Sequence, residues 1–214
     1  MHITVQGEAS ERLAPTRATV TAIVQAQDAD PAAARAAMKV GAQAIHDSLT
    51  QYDADPAHPL ESWSQGAPTS WTERPWGPDG KQGDAVFYAQ TRFTAVFSDF
   101  DTVSQWMDQN ANVVGVEFPG VSWGLSALEE ETVTSRVRSQ AVHNAQAKAL
   151  AYARAAEHSS VHYVEIADIG LLGSGSPEVG GGPMRAAAKM EYTAIRPDDI
   201  TISAAVHARF EAQR

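Results

Sequence analysis

SALEEETVTSRVRSQAVHNAQAKALAYARAAEH, running from Ser126 to His158, is the stretch whose reading decides the fold. Ser126 followed by Glu129 three residues later forms a capping box, in which each side chain satisfies an unpaired backbone N–H at the start of a helix. Glu129, Glu130 and Glu131 place negative charge at the positive end of the helix dipole. Val133, Val137, Ala141, Ala145, Ala149 and Ala153 then recur every four residues, with Val142 and Leu150 beside them. That is an apolar stripe of helical period, and the spacing predicts a helix over 127–157. The stripe is mostly alanine, so the helix backbone can lie close to whatever it covers. Arg136, Arg138, Gln140, His143, Gln146 and Arg154 on the other face suit solvent.

Upstream of this helix, residues 113–125 read as a strand in which Pro119-Gly120 marks a bulge or an edge position. Asp99 can cap a short helix over 100–110, with Phe100, Val103 and Met107 turned inward. Residues 60–74 and 85–97 read as two strands joined into a long hairpin by PWGPDGKQGD, with Phe87, Ala89, Thr91, Phe93, Ala95 and Phe97 on one face. Asp30-Pro31 supplies an N-cap and a proline in the first turn of a helix over 31–51. Its stripe is Ala34, Met38, Gly41, Ile45, Leu49 and Tyr52. Residues 2–8 and 17–27 read as strands, the second with the cleanest alternation in the chain.

Downstream, residues 161–172 read as a strand, 173–186 as a flexible glycine-rich loop, and 188–195 and 200–210 as two closing strands. The order ββα-ββα-βα-βββ predicts an α+β fold: an antiparallel or mixed sheet with two long helices and one short helix packed on it. No linker or repeat divides the chain, so a single domain over 1–214 is expected.

The composition narrows the function. The 214 residues carry a net charge of −10, which argues against non-specific binding to nucleic acid or to an anionic membrane. There are no cysteines, which excludes disulfides, thiolate metal sites and cysteine nucleophiles. No apolar run reaches the length needed to span a bilayer. The opening MHITVQGEAS has neither a basic nor an apolar region of the kind a signal peptide needs, so a cytoplasmic location is expected.

Catalytic and metal-binding patterns are weak. The seven histidines, His2, His46, His58, His143, His158, His162 and His207, show no metal-ligand spacing. Ser174 lies between glycines but not in G-x-S-x-G, and the same glycines fit neither a dinucleotide fingerprint nor a phosphate-binding loop. Glu129–Glu131 and Asp198-Asp199 are explained by helix-terminus electrostatics and turn chemistry. No catalytic residue, cofactor or metal site is therefore assigned. Trp63, Trp71 and Trp76 form the more informative cluster: three of five tryptophans within fourteen residues, interleaved with polar side chains. Such residues suit an interface or a ligand platform, and they also suit a core. An even separation puts Trp63 and Trp71 on one strand face unless the strand is broken near Gly66–Pro68.

Four stretches taken together resemble the SIMPL domain family. They are ITVQGEASERLAPTRATVTAIV (3–24), VVGVEFPGVSWGLS (113–126), AVHNAQAKALAYARAA (141–156) and RPDDITISAAVHARFE (196–211). Gly7 and Ala9 stand where the family commonly has two glycines, Pro15-Thr16 where it has Pro-Asp, and Asp198-Asp199 where it has Pro-Gly. The third stretch follows the family's A-x-x-x-A-x-x-K-A-x-x-x-A helix, with Lys148 as its lysine. The resemblance implies an α+β fold, ring-like or channel-like assembly in some periplasmic relatives, and a link to oxidative stress and to adaptor roles. The function expected is thus non-enzymatic, through a homo-oligomer or a protein partner. The alternative is a module that binds a small ligand or sugar on the Trp63, Trp71 and Trp76 hairpin.

Overall fold

Pro15 separates two strands that are neighbours in sequence and belong to different sheets. The computed structural model describes residues 1–55, 59–76, 80–168 and 197–214. These fall into two compact units, the second beginning at Pro15.

In the first unit, β1 (His2–Leu13), β8 (Ile200–Gln213) and β7 (Ser160–Asp168) form an antiparallel sheet in the order β1-β8-β7. Helix α3 (Ala127–Ala155) covers one face. The alternation of β1 puts Ile3, Val5 and Gly7 on that face, opposite Phe210, Ala208 and Val206 of β8. Ala141, Ala145, Ala149 and Ala153 are fully buried against them. The capping box forms: Ser126 Oγ accepts from the Glu129 amide at 3.3 Å, and Glu129 Oε2 accepts from the Ser126 amide at 3.1 Å. At the other end Glu157 takes a positive φ of 62°, and the His158 amide donates to the Ala153 carbonyl at 2.9 Å, so the last turn closes on itself.

The second unit contains β2 (Arg17–Asp28), α1 (Pro31–Asp53), β3 (Leu60–Gln65), β4 (Thr69–Glu73), β5 (Val86–Phe97), α2 (Phe100–Asn110) and β6 (Val116–Gly124). Its sheet runs β3-β5-β2-β6, and β4 pairs with β5 beyond the end of β3. Asp30 caps α1 and Asp99 caps α2, each through its side chain. Both helices pack on one face, over Val20, Ala22, Val24, Phe93, Ala95 and Phe97. Trp106 is fully buried there, and its indole N–H donates to Ser48 Oγ at 3.0 Å.

The α+β class and the three helices match the sequence expectation, with the strands divided between two antiparallel sheets. Pro119-Gly120 is both bulge and edge: the β2–β6 register shifts between Thr21 and Ile23, and β6 ends the sheet. Several boundaries differ: β6 begins at Val116 rather than at 113, and β8 runs on to Gln213. The first strand continues to Leu13, because β8 pairs with it along its whole length. The single strand expected over 60–74 is two strands, broken at 66–68. The expected loop at 173–186, the strand at 188–195 and the end of the strand expected to 172 lie outside the described residues.

Candidate functional site

The break in the 60–74 strand decides where the tryptophans go. Pro68 has no N–H to give a ladder, and Gly66 turns its amide onto the Arg92 carbonyl at 2.8 Å while its own carbonyl accepts from Thr91 Oγ1 at 2.9 Å. Across this break the pairing with β5 slips by one residue. β3 ends with Gln65 opposite Phe93, and β4 begins with Thr69 opposite Gln90 where an unbroken ladder would have Ala89. A one-residue slip moves every following side chain to the other face of the sheet.

Trp63 is therefore opposite Ala95 on the helix-covered face, and Trp71 is opposite Tyr88 on the outer face. Trp63 packs half-buried against the core, with ring centroids 6.5 Å from Phe93 and 5.2 Å from His46. Trp71 lies parallel to Tyr88, with centroids 5.2 Å apart and planes 6° apart, and its indole N–H donates to Glu73 Oε1 at 2.8 Å. Trp76 is 71% exposed in the hairpin beyond β4, bridged to Gln82. The three tryptophans do not share one platform. Trp71 and Trp76 are at the surface, and Trp63 is held by the core.

The registers order the outer face into rows. Trp71, Tyr88 and Gln27 lie side by side across β4, β5 and β2, and Thr69, Gln90 and Gln25 form the next row. Arg92 and Ile23 follow, with Glu117 on β6. In the sequence Tyr88 and Gln90 alternate with the Phe87–Phe97 stripe, and Gln25 and Gln27 alternate with Val24 and Ala26, so each reads only as an outward-facing strand position.

The other sequence candidates remain apart. Among the described residues no three of His, Asp and Glu gather at metal-binding distances. His46 contacts Asp47 Oδ1 at 3.4 Å and the Trp63 ring, while His158 Nδ1 is buried without a partner at the end of α3. Glu129 is engaged in the capping box, and Asp198 and Asp199 are exposed before β8. Ser174 and His58 lie outside the described residues. A shallow groove of about 450 Å³ runs between the end of α1 and the start of α2, lined by Gln51, Tyr52, Asp99, Thr102, Gln105 and Gln109 among others. There the Thr102 hydroxyl, and then its amide, hold the Asp99 carboxyl below its ordinary range. In the first unit, burial pushes the Tyr163 phenol up.

The family model SIMPL, described as a protein of unknown function (DUF541), matches residues 3–210. The chain belongs to the SIMPL family. No curated protein matches it. In this SIMPL chain the first and third of the quoted stretches meet on one helix–strand contact. Gly7 lies directly beneath Ala141 and Ala145. Beside it, Lys148 Nζ donates to the Gln6 carbonyl at 2.9 Å, and Asn144 Oδ1 accepts from the Glu8 amide at 3.1 Å. The lysine of the helix pattern thus has a structural task, holding the edge of β1. No signal short of the three-dimensional pairing connects residues 6–8 with 144–148.

Proposed function

We propose that this SIMPL-family protein works by binding rather than by catalysis, joining a second copy of itself, or another protein, through the β4–β5 hairpin. The observation that supports this is the position of Trp76, 71% exposed in the hairpin beyond β4. Exposed tryptophan costs free energy in water, and surface tryptophan and tyrosine are enriched where proteins meet. Trp63 plays no part in this contact, because its ring belongs to the core.

Light scattering on the purified chain tests the reading. Self-association through the hairpin gives a mass at least twice the 22.9 kDa of one chain, falling toward the monomer in Trp76→Ala. A monomeric mass throughout the micromolar range would overturn self-association. The ligand-binding alternative is narrowed by the same geometry: a pocket made from all three tryptophans does not form, and a ligand platform would use the outer face alone.

A further inference from the structure

The outer face of the second unit carries two adjacent rows of unlike chemistry. One is aromatic, Trp71 beside Tyr88, ending in Gln27. The other is uncharged and hydrogen-bonding, Thr69, Gln90 and Gln25. Residues two apart on a strand put these rows about 7 Å from each other. All six side chains are half-buried or exposed. The side chains of Thr69, Gln90, Gln25 and Gln27 make no hydrogen bond among the described residues, whereas Trp71 is fixed by Glu73.

We infer that these two rows form a binding surface for an uncharged oligosaccharide. Stacked on each other, Trp71 and Tyr88 each keep one ring face turned away from the other, and such a face is the flat apolar surface on which the C–H face of a sugar ring stacks. Each carboxamide of Gln25, Gln27 and Gln90 offers a donor and an acceptor side by side, matching hydroxyl groups that also donate and accept. Trp71 is held by Glu73 before any ligand arrives, so the stacking surface needs little ordering on binding, while the glutamine side chains, placed on adjacent strands, are ordered by the ligand. Charge selects the class of ligand. Neither row contains Lys or Arg, Arg92 stands in the row beyond, and Glu73 beside Trp71 disfavours anions. An apolar side chain set on the glutamine row would bury the carboxamides without partners, which disfavours it.

The surface is distinct from the exposed Trp76 contact, so it holds for a monomer as well as for an oligomer. Native gel electrophoresis of the full chain tests it. The gels contain dextran, starch or barley β-glucan, three neutral polysaccharides, or polygalacturonate, which is anionic. The expected result is retardation in at least one neutral gel. Retardation weakens at least tenfold in Gln25→Leu/Gln90→Leu and in Trp71→Ala, and it is unchanged in Thr19→Ala, which lies farther along the same face. If the leucine variant loses its cooperative melt, Gln25→Asn/Gln90→Asn keeps the amides, shortens their reach and decides the matter with the same expected loss. Light scattering on the glutamine variants separates the two readings: retardation falls while the mass stays that of the parent. No retardation in any neutral gel, retardation by polygalacturonate alone, or full retardation of the folded glutamine variants would each overturn the proposal.

Discussion

Gly7 of β1 and Ala141 of α3 meet backbone to backbone: a methyl group placed on Gly7 would lie 2.1 Å from the Ala141 carbonyl oxygen and 2.7 Å from the Ala145 Cβ. Neither neighbour can give way. The carbonyl belongs to a helix, and the Ala145 methyl is itself fully buried. The glycine and the alanine stripe are two halves of one device that brings a helix backbone against a strand backbone.

Gly7→Ala should therefore destabilise the first unit by about 3 kcal/mol or more, since overpacking a rigid contact forces the backbone apart. Urea denaturation measures it. Gly66→Ala is the control, because the nearest atom to its added methyl is 3.5 Å away, and its effect should stay within about 0.5 kcal/mol. Equal midpoints for the two variants would show that α3 does not pack as described.

Lys148 and Asn144 predict a second behaviour. The Ala212 amide donates to Met1, so the odd-numbered residues of β1 bond to β8 and the even-numbered ones face the free edge. Gln6 and Glu8 are two of these, and Lys148 and Asn144 occupy their carbonyl and amide. An unprotected edge pairs with other chains. Lys148→Ala/Asn144→Ala should lose about 1–2 kcal/mol and scatter more light over hours at rest. Amide exchange at Glu8 should accelerate in Asn144→Ala alone. An unchanged Glu8 rate would remove the edge-capping role.

The slip between β3 and β4 separates tryptophans that the sequence groups together. Trp63→Ala removes a ring packed on Phe93 and His46, and should cost about 2–3 kcal/mol, less than a fully buried tryptophan because Trp63 is only half-buried. Trp76→Ala should leave the unfolding midpoint within about 0.5 kcal/mol of the parent when both are melted below the concentration at which chains associate. Thermal melts of both variants check this. A Trp76 variant that melts earlier than the Trp63 variant would contradict the assignment of faces.

What the sequence makes legible follows from range. The helices are written locally, in Asp30-Pro31, in Asp99 and in the Ser126–Glu129 box with its alanine period, and each forms where those signals place it. The Pro119 bulge is local too, since a missing N–H constrains its own strand. The division into two sheets is not local. Pro15 reads as a breaker, but nothing in residues 2–28 says that the strands on its two sides pair with β8 and with β5. The faces of Trp63 and Trp71 depend on a pairing slip against β5, which Gly66–Pro68 permits but whose size only the partner strand fixes. The outer-face rows share this origin. Gln25, Gln90 and Thr69 are distant in sequence and become neighbours only through register.

Asp99 supplies a prediction with a definite sign in pH. Its carboxylate accepts from the Thr102 hydroxyl and, at 2.9 Å, from the Thr102 amide in the first turn of α2. These bonds favour the charged form, the hydroxyl most, and they lower the folded-state pKa below the ordinary 3.8, with burial opposing them. A depressed carboxyl pKa means that the unfolded chain takes up its proton first as pH falls. The stabilisation is thus complete above the unfolded value and is lost as pH drops through the folded one. Asp99→Ala removes the cap and should lower stability by about 1 kcal/mol at neutral pH. The gap between parent and variant melting temperatures should hold steady from about pH 6 to about pH 4 and narrow below that. Carboxyl carbon shifts of Asp99, followed by NMR through the same range, should give a midpoint under 3.8. A gap that widens on acidification, or a midpoint above that value, would show that Thr102 does not hold the charged form.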